Sequence, residues 1–372
     1  DDFHKASGLW SVKLYKADIE MDLRTRNMAG FQLLDIQDYP GQGSAFVGIL
    51  DAFMESKGIT TPEEWRQWCS PVVPLLEMKK FCFEDGEKIQ AKVKVANYGG
   101  SSLKGKKLKW HLAAENGLFC MDDGTFSTKD GEVRKNVGDL MAEDEGVLNI
   151  FSYDEGLVDV GELNGVFHVQ KPTKLLLTLN IEGTEARNSY ELWVYPKKAM
   201  EKKGVIIARD LNQEVVKVLE KGGKVLWMPT ASSHFVAADD KALQSDNSVL
   251  QADNTLSQAD NATPYTVGGL FQTDYWNYRM FKTICENNKK KVSPGTLGIL
   301  TNPEHPIFKG FPTEMHTNWQ WFPVIKESHP LVLDNFAKDY RPIVQVIDNI
   351  ERNHKLGLVM EWKVGAGKLL VC

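Results

Sequence analysis

Three hydrophobic patterns follow one another along the chain, and the first belongs to an α/β unit. Residues 8–26 repeat apolar side chains every three or four positions, which predicts an amphipathic helix. Residues 31–36, FQLLDI, form a short apolar run, typical of a strand that is buried on both faces of a parallel sheet. The sequence PGQGSA then predicts a loop. Residues 60–69, TTPEEWRQWC, predict a short helix that is capped by Thr61.

The second pattern, from residue 71 to residue 197, consists of segments in which apolar and polar residues alternate. It is clearest in the segments KIQAKVKVANYG, KLKWHL and NSYELWVYP, which are separated by turns rich in glycine. Strands of this length and number predict an immunoglobulin-like β-sandwich.

The third pattern begins at residue 198 and alternates strands with a helix. KKGVIIARDL followed by NQEVVKVLEKGGKVLWMP reads as a strand, a helix with a glycine cap and a second strand. The end of the chain, KLGLVMEWKVGAGKLLVC, predicts two strands around a Gly turn. We therefore expect a βαβ unit in this part of the chain.

Composition excludes several classes of protein. The 372 residues are 42% hydrophobic and 25% charged, as in globular proteins, and the net charge of -6 comes without a long basic tract, so nucleic acid is not an expected partner. No apolar run reaches the roughly 18 residues of a membrane span. The five cysteines form no CxxC pair, so we predict neither a metal site nor a cofactor. The start of the chain, without Met or a signal-peptide pattern, indicates a piece of a larger protein.

Polar residues at the end of the predicted strand 31–36 are the first candidates for a binding site. Barrels of the (β/α)8 type build their active sites from such strand ends, so we expect the site to include Asp35, Gln37, Asp38 and Gln42. The structural alternative is that Asp38 caps the loop while Gln42 faces solvent.

A second candidate lies in the segment HPIFKGFPTEMHTNWQWF. Here His316, Trp319 and Trp321 come close together, and aromatic rings beside hydrogen-bonding groups can stack on a sugar and bind its hydroxyls. The alternative is that the same residues seal one domain against another.

The segment SGLWSVKLYKADIEMDLRTRNMAGFQLLDIQDYPGQGSAFVGILDAFMESKG, followed by the sandwich that ends in NSYELWVYP, resembles the C-terminal half of bacterial glycoside hydrolase family 2 enzymes. This resemblance implies a multidomain α/β plus all-β protein. Its parts would be a C-terminal segment of a (β/α)8 barrel at residues 1–70, a β-sandwich at 71–197 and an α/β domain at 198–372. The last domain, with DYWNY, PGTLGIL and RPIVQVIDN, resembles an appended open-sheet domain of the flavodoxin or amidotransferase class. The resemblance to family 2 enzymes implies a retaining, β-galactosidase-like glycosidase for carbohydrate degradation, which is periplasmic or extracellular.

The resemblance also implies that both catalytic glutamates lie upstream of residue 1, so this chain alone is expected to be inactive. The barrel segment would then pack onto the sandwich, pair with another chain or be completed by the remainder of the barrel. Expected partners are a carbohydrate substrate, the missing barrel and, in a homo-oligomer, a second copy. The alternative function is a noncatalytic carbohydrate-binding or assembly module.

Overall fold

The computed structural model describes residues 1–33, 36–39, 48–122, 143–151, 155–197, 204–229, 236–237, 265–266, 296–326, 328–348 and 353–372. Strands predominate over helices there. The helices are α1 (Asp2–Leu23), α2 (Pro62–Trp65), α3 (Gln213–Glu220) and α4 (Phe322–Ile325), with a 3-10 helix at Pro306–Gly310. None of the helices in this part of the chain is both long and apolar enough to cross a membrane.

Two facing sheets form a β-sandwich in the middle of the chain. Its strands are β1 (Val72–Glu77), β2 (Cys82–Glu84), β3 (Lys88–Asn97), β4 (Lys107–Ala114), β5 (Phe119–Asp122), β6 (Glu143–Asn149), β7 (Gly156–Val169), β8 (Thr173–Ile181) and β9 (Arg187–Tyr195). One sheet has the order β1-β3-β7-β5 and the other β2-β9-β8-β4-β6. Alternate residues enter the core in much of the sandwich, as in β3, where Ile89, Ala91 and Val93 are buried and Lys88, Gln90 and Lys92 are exposed.

Helix α1 packs onto the outer side of this sandwich. Its residues Val12, Ile19 and Leu23 contact Val73 and Leu75 of β1. Strand β1 is therefore buried on both faces, because its other side chains point into the sandwich core. This explains why its sequence, VVPLL, is continuously apolar instead of alternating.

The predicted end of a (β/α)8 barrel at residues 1–70 is wrong. Residues 31–33 form no strand, and Phe31 is 37% exposed instead of buried on both sides. Gln37 makes only an isolated bridge with Leu50. The apolar face of α1 is covered by β1, so the helix needs no barrel strand beside it. Of the three arrangements that the sequence left open, packing onto the sandwich is the one observed.

The remaining strands form a mixed sheet. They are β10 (Val205–Ala208), β11 (Lys224–Trp227), β12 (Val236–Ala237), β13 (Tyr265–Thr266), β14 (Ile299–Thr301), β15 (Leu331–Val332), β16 (Val344–Ile347), β17 (Lys355–Val364) and β18 (Gly367–Val371). The predicted β10-α3-β11 unit is present, and β11 pairs with β18 in parallel. The predicted hairpin at Gly365 joins β17 to β18.

The predicted fold class, α/β plus all-β with an open flavodoxin-like sheet, is nevertheless wrong. Most strand pairs in residues 265–372 are antiparallel. Strand β14 pairs with β16 in this way, and β17 pairs in this way with β15, β16 and β18. Helix α3 packs on this sheet through Leu219, and the short helix α4 packs on it through Ile325. The described structure is mainly β, because antiparallel strands joined by short turns need no helix between them.

Helix α1 also contacts the third region of the chain. The ring of Trp10, only 1% exposed, meets Trp319 edge to face at 5.1 Å and Phe322 at 5.9 Å, while Ala6 packs against Leu297 and Ile347. One helix thus buries one side against the sandwich and another side against the mixed sheet.

Replacing Trp10 with Ala should lower the free energy of unfolding by about 3–5 kcal/mol, because a large ring is removed from a closed contact. Phe3→Ala is the matched control, since Phe3 lies on the same helix and is 45% exposed. Urea unfolding followed by circular dichroism measures both variants. Similar losses in the two variants would show that Trp10 does not hold the regions together.

Candidate ligand-binding cleft

The first predicted group of site residues is Asp35, Gln37, Asp38 and Gln42, and within the described residues Asp38 stabilises a loop. Asp38 is buried, pairs with Lys57 at 2.6 Å and accepts a hydrogen bond from the backbone nitrogen of Gly48 at 3.0 Å. A side chain at Gly48 would lie 2.2 Å from the carbonyl carbon of Gln37, so only glycine fits there. Asp35 and Gln42 lie outside the described residues. The role of this group in binding sugar stays a prediction.

The second predicted group is divided between a cleft and a core. His316 and Trp319 line a cleft beside α1. Trp321 is buried against Phe308 and Phe311, and its Nε1 donates to Thr313 Oγ1 at 2.7 Å. Stacking of a sugar on Trp321 would require this core to open, whereas Trp319 lies at the surface of the cavity.

The cleft has a volume of about 470 Å³ and lies where α1, the sandwich and the third region meet. Its apolar walls include Trp68, Phe81 and Trp319. Phe81 stacks on Trp319 with 5.4 Å between ring centroids, which fixes the orientation of the indole. Strand β9 and helix α1 supply many of its polar groups, and Glu77 of β1 and His316 of the third region add others.

Helix α1 places charged side chains along one stripe beside its apolar face. Lys13, Lys16, Glu20 and Arg24 are spaced by three or four residues, so they point in one direction. Glu20 lies 3.2 Å from Arg24 and 3.5 Å from Lys16. This stripe faces Asn188 and Glu191 of β9 rather than bulk water.

The carboxylate of Glu191 joins three parts of the chain. It forms an ion pair with Lys13 of α1. It forms a second one with Lys174 of β8, whose Nζ lies 2.8 Å from the Glu191 carboxylate. Lys174 also pairs with Glu314 of the third region at 2.6 Å. Burial alone would raise the pKa of Glu191, but the two ammonium groups outweigh it and lower the pKa to about 2. For Lys174, the nearby carboxylates likewise outweigh burial and raise its pKa. Both groups are therefore charged throughout the physiological pH range.

A second buried network lies at the floor of the cleft. Lys16 donates to Asn188 Oδ1 at 2.6 Å and to the carbonyl oxygen of Ser189 at 2.7 Å, with its ammonium 4.6 Å from the ring centre of Tyr190. Burial lowers the pKa of Lys16, and Glu20 opposes this effect. Burial also raises the pKa of Tyr190, whose hydroxyl accepts from the backbone nitrogen of Leu76 at 3.0 Å.

His316 gives the cleft a neutral polar group. The distance from its Nδ1 to the carbonyl oxygen of Thr317 is 2.7 Å, so Nδ1 carries the proton and Nε2 is an acceptor. Burial lowers the pKa of this imidazole, and the positive charge of Lys13 lowers it further. His316 is therefore neutral at pH 7.

The cleft can bind a small molecule through fixed ions, a neutral imidazole and aromatic walls. Within the described residues no group of three or more His, Cys, Asp or Glu side chains is arranged to hold a metal ion. The sequence reasoning missed Lys13, Lys174 and Glu191, which are brought together from distant parts of the chain. The sequence signal that could have indicated this site is the presence of Asn188 and Glu191 among the apolar residues of β9.

Comparisons with known proteins give two matches to families. Residues 234–372 match the family described as "Domain of unknown function (DUF8487)", and residues 144–196 match "Domain of unknown function (DUF8488)". No curated protein matches the chain.

Several solved structures are weakly similar to about a third of the chain. A conjugative transposon lipoprotein from Bacteroides eggerthii is 9% identical, with 33% of this chain and 96% of that chain covered and a TM-score of 0.23. A cohesin module from a family 33 glycoside hydrolase of Clostridium perfringens is 11% identical, with 34% and 99% covered and a TM-score of 0.21. Similarities this weak support no inference about this chain.

The resemblance to glycoside hydrolase family 2 is wrong. The predicted barrel strand at residues 31–36, which is one part of the resembling segment, forms no strand in its described residues. The family matches are to domains of unknown function. The prediction of a hydrolase with a TIM-barrel fragment is therefore wrong. Part of the resembling segment lies in a loop, which is stabilised by the hydrogen bond between Asp38 and Gly48.

Lys174→Met should lower the free energy of unfolding by about 3–5 kcal/mol, because it leaves Glu191 and Glu314 without their shared buried cation. The control is Lys109→Met, since Lys109 pairs with Glu182 on the surface and its loss should change stability little. Denaturant unfolding of the two variants tests the difference. An equal effect would contradict the bridging role of Lys174.

The lowered pKa of His316 predicts a loss of stability in acid. The unfolded imidazole takes up a proton near pH 6.5, while the folded one resists protonation until a lower pH, so the free energy of unfolding falls as pH decreases between these two pKa values. His316→Gln should flatten this part of the profile, whereas His4→Gln, at an exposed position, should not. Thermal unfolding from pH 7 to pH 5 provides the measurement, and parallel profiles for all three proteins would refute the assignment.

Proposed function

We propose that this chain is a noncatalytic binding module whose cleft takes a small, neutral, polyhydroxylated ligand, that is, a carbohydrate. The observation that carries the proposal is the presence of the Trp319 ring and the mutually neutralised Lys13–Glu191 pair in one cleft. Its volume of about 470 Å³ is within the roughly 300–1,000 Å³ of sites for small molecules.

The apolar walls suit the carbon-bound hydrogens of a sugar ring. Trp68, Phe81 and Trp319 supply aromatic surface, and Phe81 already holds the indole of Trp319 in place. A rigid aromatic wall favours binding because little conformational entropy is lost when the ligand arrives.

The polar groups favour a neutral ligand. Lysine and arginine side chains of the lining are nearly matched in number by carboxylates, and Glu20 and Glu191 already pair with cations of α1. A strongly charged ligand would have to compete with these ion pairs. Hydroxyl groups both donate and accept, so they can add to existing pairs without separating the charges.

The electrostatics of Glu191 support a noncatalytic role. A general acid for glycoside cleavage keeps its proton near neutral pH because its pKa is raised. Glu191 has the opposite property, since Lys13 and Lys174 lower its pKa to about 2. This carboxylate is suited to accepting hydrogen bonds from hydroxyl groups.

Two further expectations accompany this proposal. A periplasmic or extracellular location is where a module for external carbohydrates would operate, and it stays a prediction. Formation of a homo-oligomer, with the last region as the assembly surface, also stays a prediction.

Calorimetric titration with a panel of neutral monosaccharides and disaccharides should identify a ligand that the wild-type protein binds. His316→Ala should weaken this binding about fivefold, because one hydrogen-bond acceptor is lost. His4→Ala is the control, as His4 is exposed at the start of α1.

Three results would contradict the proposal. The first is no binding to any sugar of the panel, and the second is equal affinity in His316→Ala and the wild type. The third is turnover of nitrophenyl glycosides by the purified chain, which would show that the chain is catalytic.

A further inference from the structure

A cysteine and a histidine are direct neighbours on the outer face of one sandwich sheet. Cys120 of β5 is the cross-strand partner of His168 of β7. Phe119 and Val169, which adjoin them in the two strands, are buried in the core. The side chains of Cys120 and His168 therefore point outwards, where both are partly exposed. Cross-strand partners have Cβ atoms about 4.5–5.5 Å apart, so the thiol and the imidazole lie side by side.

An aspartate orients this histidine from the opposite side. Strand β7 lies between β3 and β5 in the sheet, and Asp85 comes from the turn that precedes β3. Asp85 Oδ1 lies 3.1 Å from His168 Nδ1 and accepts a hydrogen bond from the backbone nitrogen of Val169 at 3.0 Å. A carboxylate can only accept, so Nδ1 carries the proton and Nε2 is the basic nitrogen. The imidazole thus lies between a carboxylate and a thiol.

The turn between β2 and β3 leaves space beside the imidazole and adds a positive charge. Gly86 has a left-handed φ of +72°, and its nitrogen donates to the carbonyl oxygen of Phe167 at 2.9 Å. A Cβ atom at Gly86 would lie 3.4 Å from His168 Cε1 and 3.3 Å from Lys197 Nζ. Glycine therefore keeps this space open. The ammonium of Lys197, close to the ring, favours the thiolate form of a nearby cysteine.

The order of thiol, imidazole and carboxylate is that of a nucleophile, its base and the group that orients the base. His168 Nε2 can take the proton of the Cys120 thiol, and Asp85 stabilises the imidazolium that forms. The thiolate is the reactive form of cysteine, so this arrangement makes Cys120 more nucleophilic than an isolated cysteine at neutral pH.

We propose that Cys120 is a modification site that reacts with low-molecular-weight disulfides by thiol–disulfide exchange. His168 Nε2 accepts the thiol proton, and the Cys120 sulfur attacks one sulfur atom of the disulfide. A new S–S bond forms as the old one breaks, and the leaving thiolate takes the proton from His168. The products are a mixed disulfide on Cys120 and one small thiol, so the disulfide is the only oxidant that the step requires.

This site is independent of the proposed binding function. The cleft beside α1 contains none of Asp85, Cys120 and His168 in its lining. Binding of sugars, or its absence, therefore leaves the reactivity of Cys120 unchanged, and the two proposals can fail separately.

The test measures how fast Cys120 of the whole chain forms a mixed disulfide with oxidised glutathione. Mass spectrometry of proteolytic peptides gives the rate of each cysteine separately. At pH 7 we expect Cys120 to react about tenfold faster than Cys69, which is also partly exposed.

Two variants test the role of the imidazole and its carboxylate. His168→Gln should slow the reaction of Cys120 about tenfold, and Asp85→Asn should slow it to a smaller extent. His111→Gln is the matched control, because His111 is a partly exposed histidine beside Glu143 on the other sheet and should leave the rate unchanged.

The dependence of the rate on pH separates proton transfer from a structural effect. In the wild type the rate of Cys120 should change little between pH 7 and pH 8. In His168→Gln it should rise steeply over this range, because an ordinary thiol, with a pKa of about 8.5, must lose its proton to solvent.

Three results would overturn the proposal. The first is equal rates of Cys120 and Cys69 in the wild type. The second is an unchanged rate of Cys120 in both His168→Gln and Asp85→Asn. The third is a wild-type pH profile of Cys120 that rises as steeply as that of Cys69, and this result requires no variant to fold.

Discussion

The side-chain amide of Asn188 is the interaction on which the arrangement of α1 and the two sandwich sheets depends. It is fully buried, its oxygen accepts from Lys16, and its nitrogen lies 2.7 Å from Glu20 and 2.9 Å from the carbonyl oxygen of Pro74. One residue of β9 thus bonds to the helix and to β1 of the other sheet. A buried amide that loses its partners costs about 1–3 kcal/mol, so these three elements keep one relative position. The walls of the cleft follow from that position.

The same ions serve both the docking of the regions and the chemistry of the cleft. Glu191 lines the cavity, yet through Lys174 it is also connected to Glu314 of the third region. Taking these charges out of water is costly, and only their mutual pairing makes it tolerable. The polar surface offered to a ligand is therefore rigid and internally neutral. The proposed ligand binding would therefore depend on the same side chains that hold the three regions together.

Local features of this fold could be predicted from sequence because their causes are local. The cap of α2 is an example, since Thr61 and Glu64 exchange the expected hydrogen bonds three residues apart. Residues 31–36 were misread because a short apolar run has no period that separates a buried strand from a loop. The cleft could not be predicted either. Lys13 and Glu191 are far apart in sequence, and only the packing of α1 on β9 brings them together.

The burial of β1 on both faces bears on where this chain can be divided. A fragment that starts at residue 71 would keep every strand of the sandwich but would uncover Val73 and Leu75, which α1 covers in the whole chain. Such a fragment would carry an apolar stripe on its surface and would tend to self-associate. The stability of the sandwich is therefore expected to depend on residues that precede the boundary at residue 71.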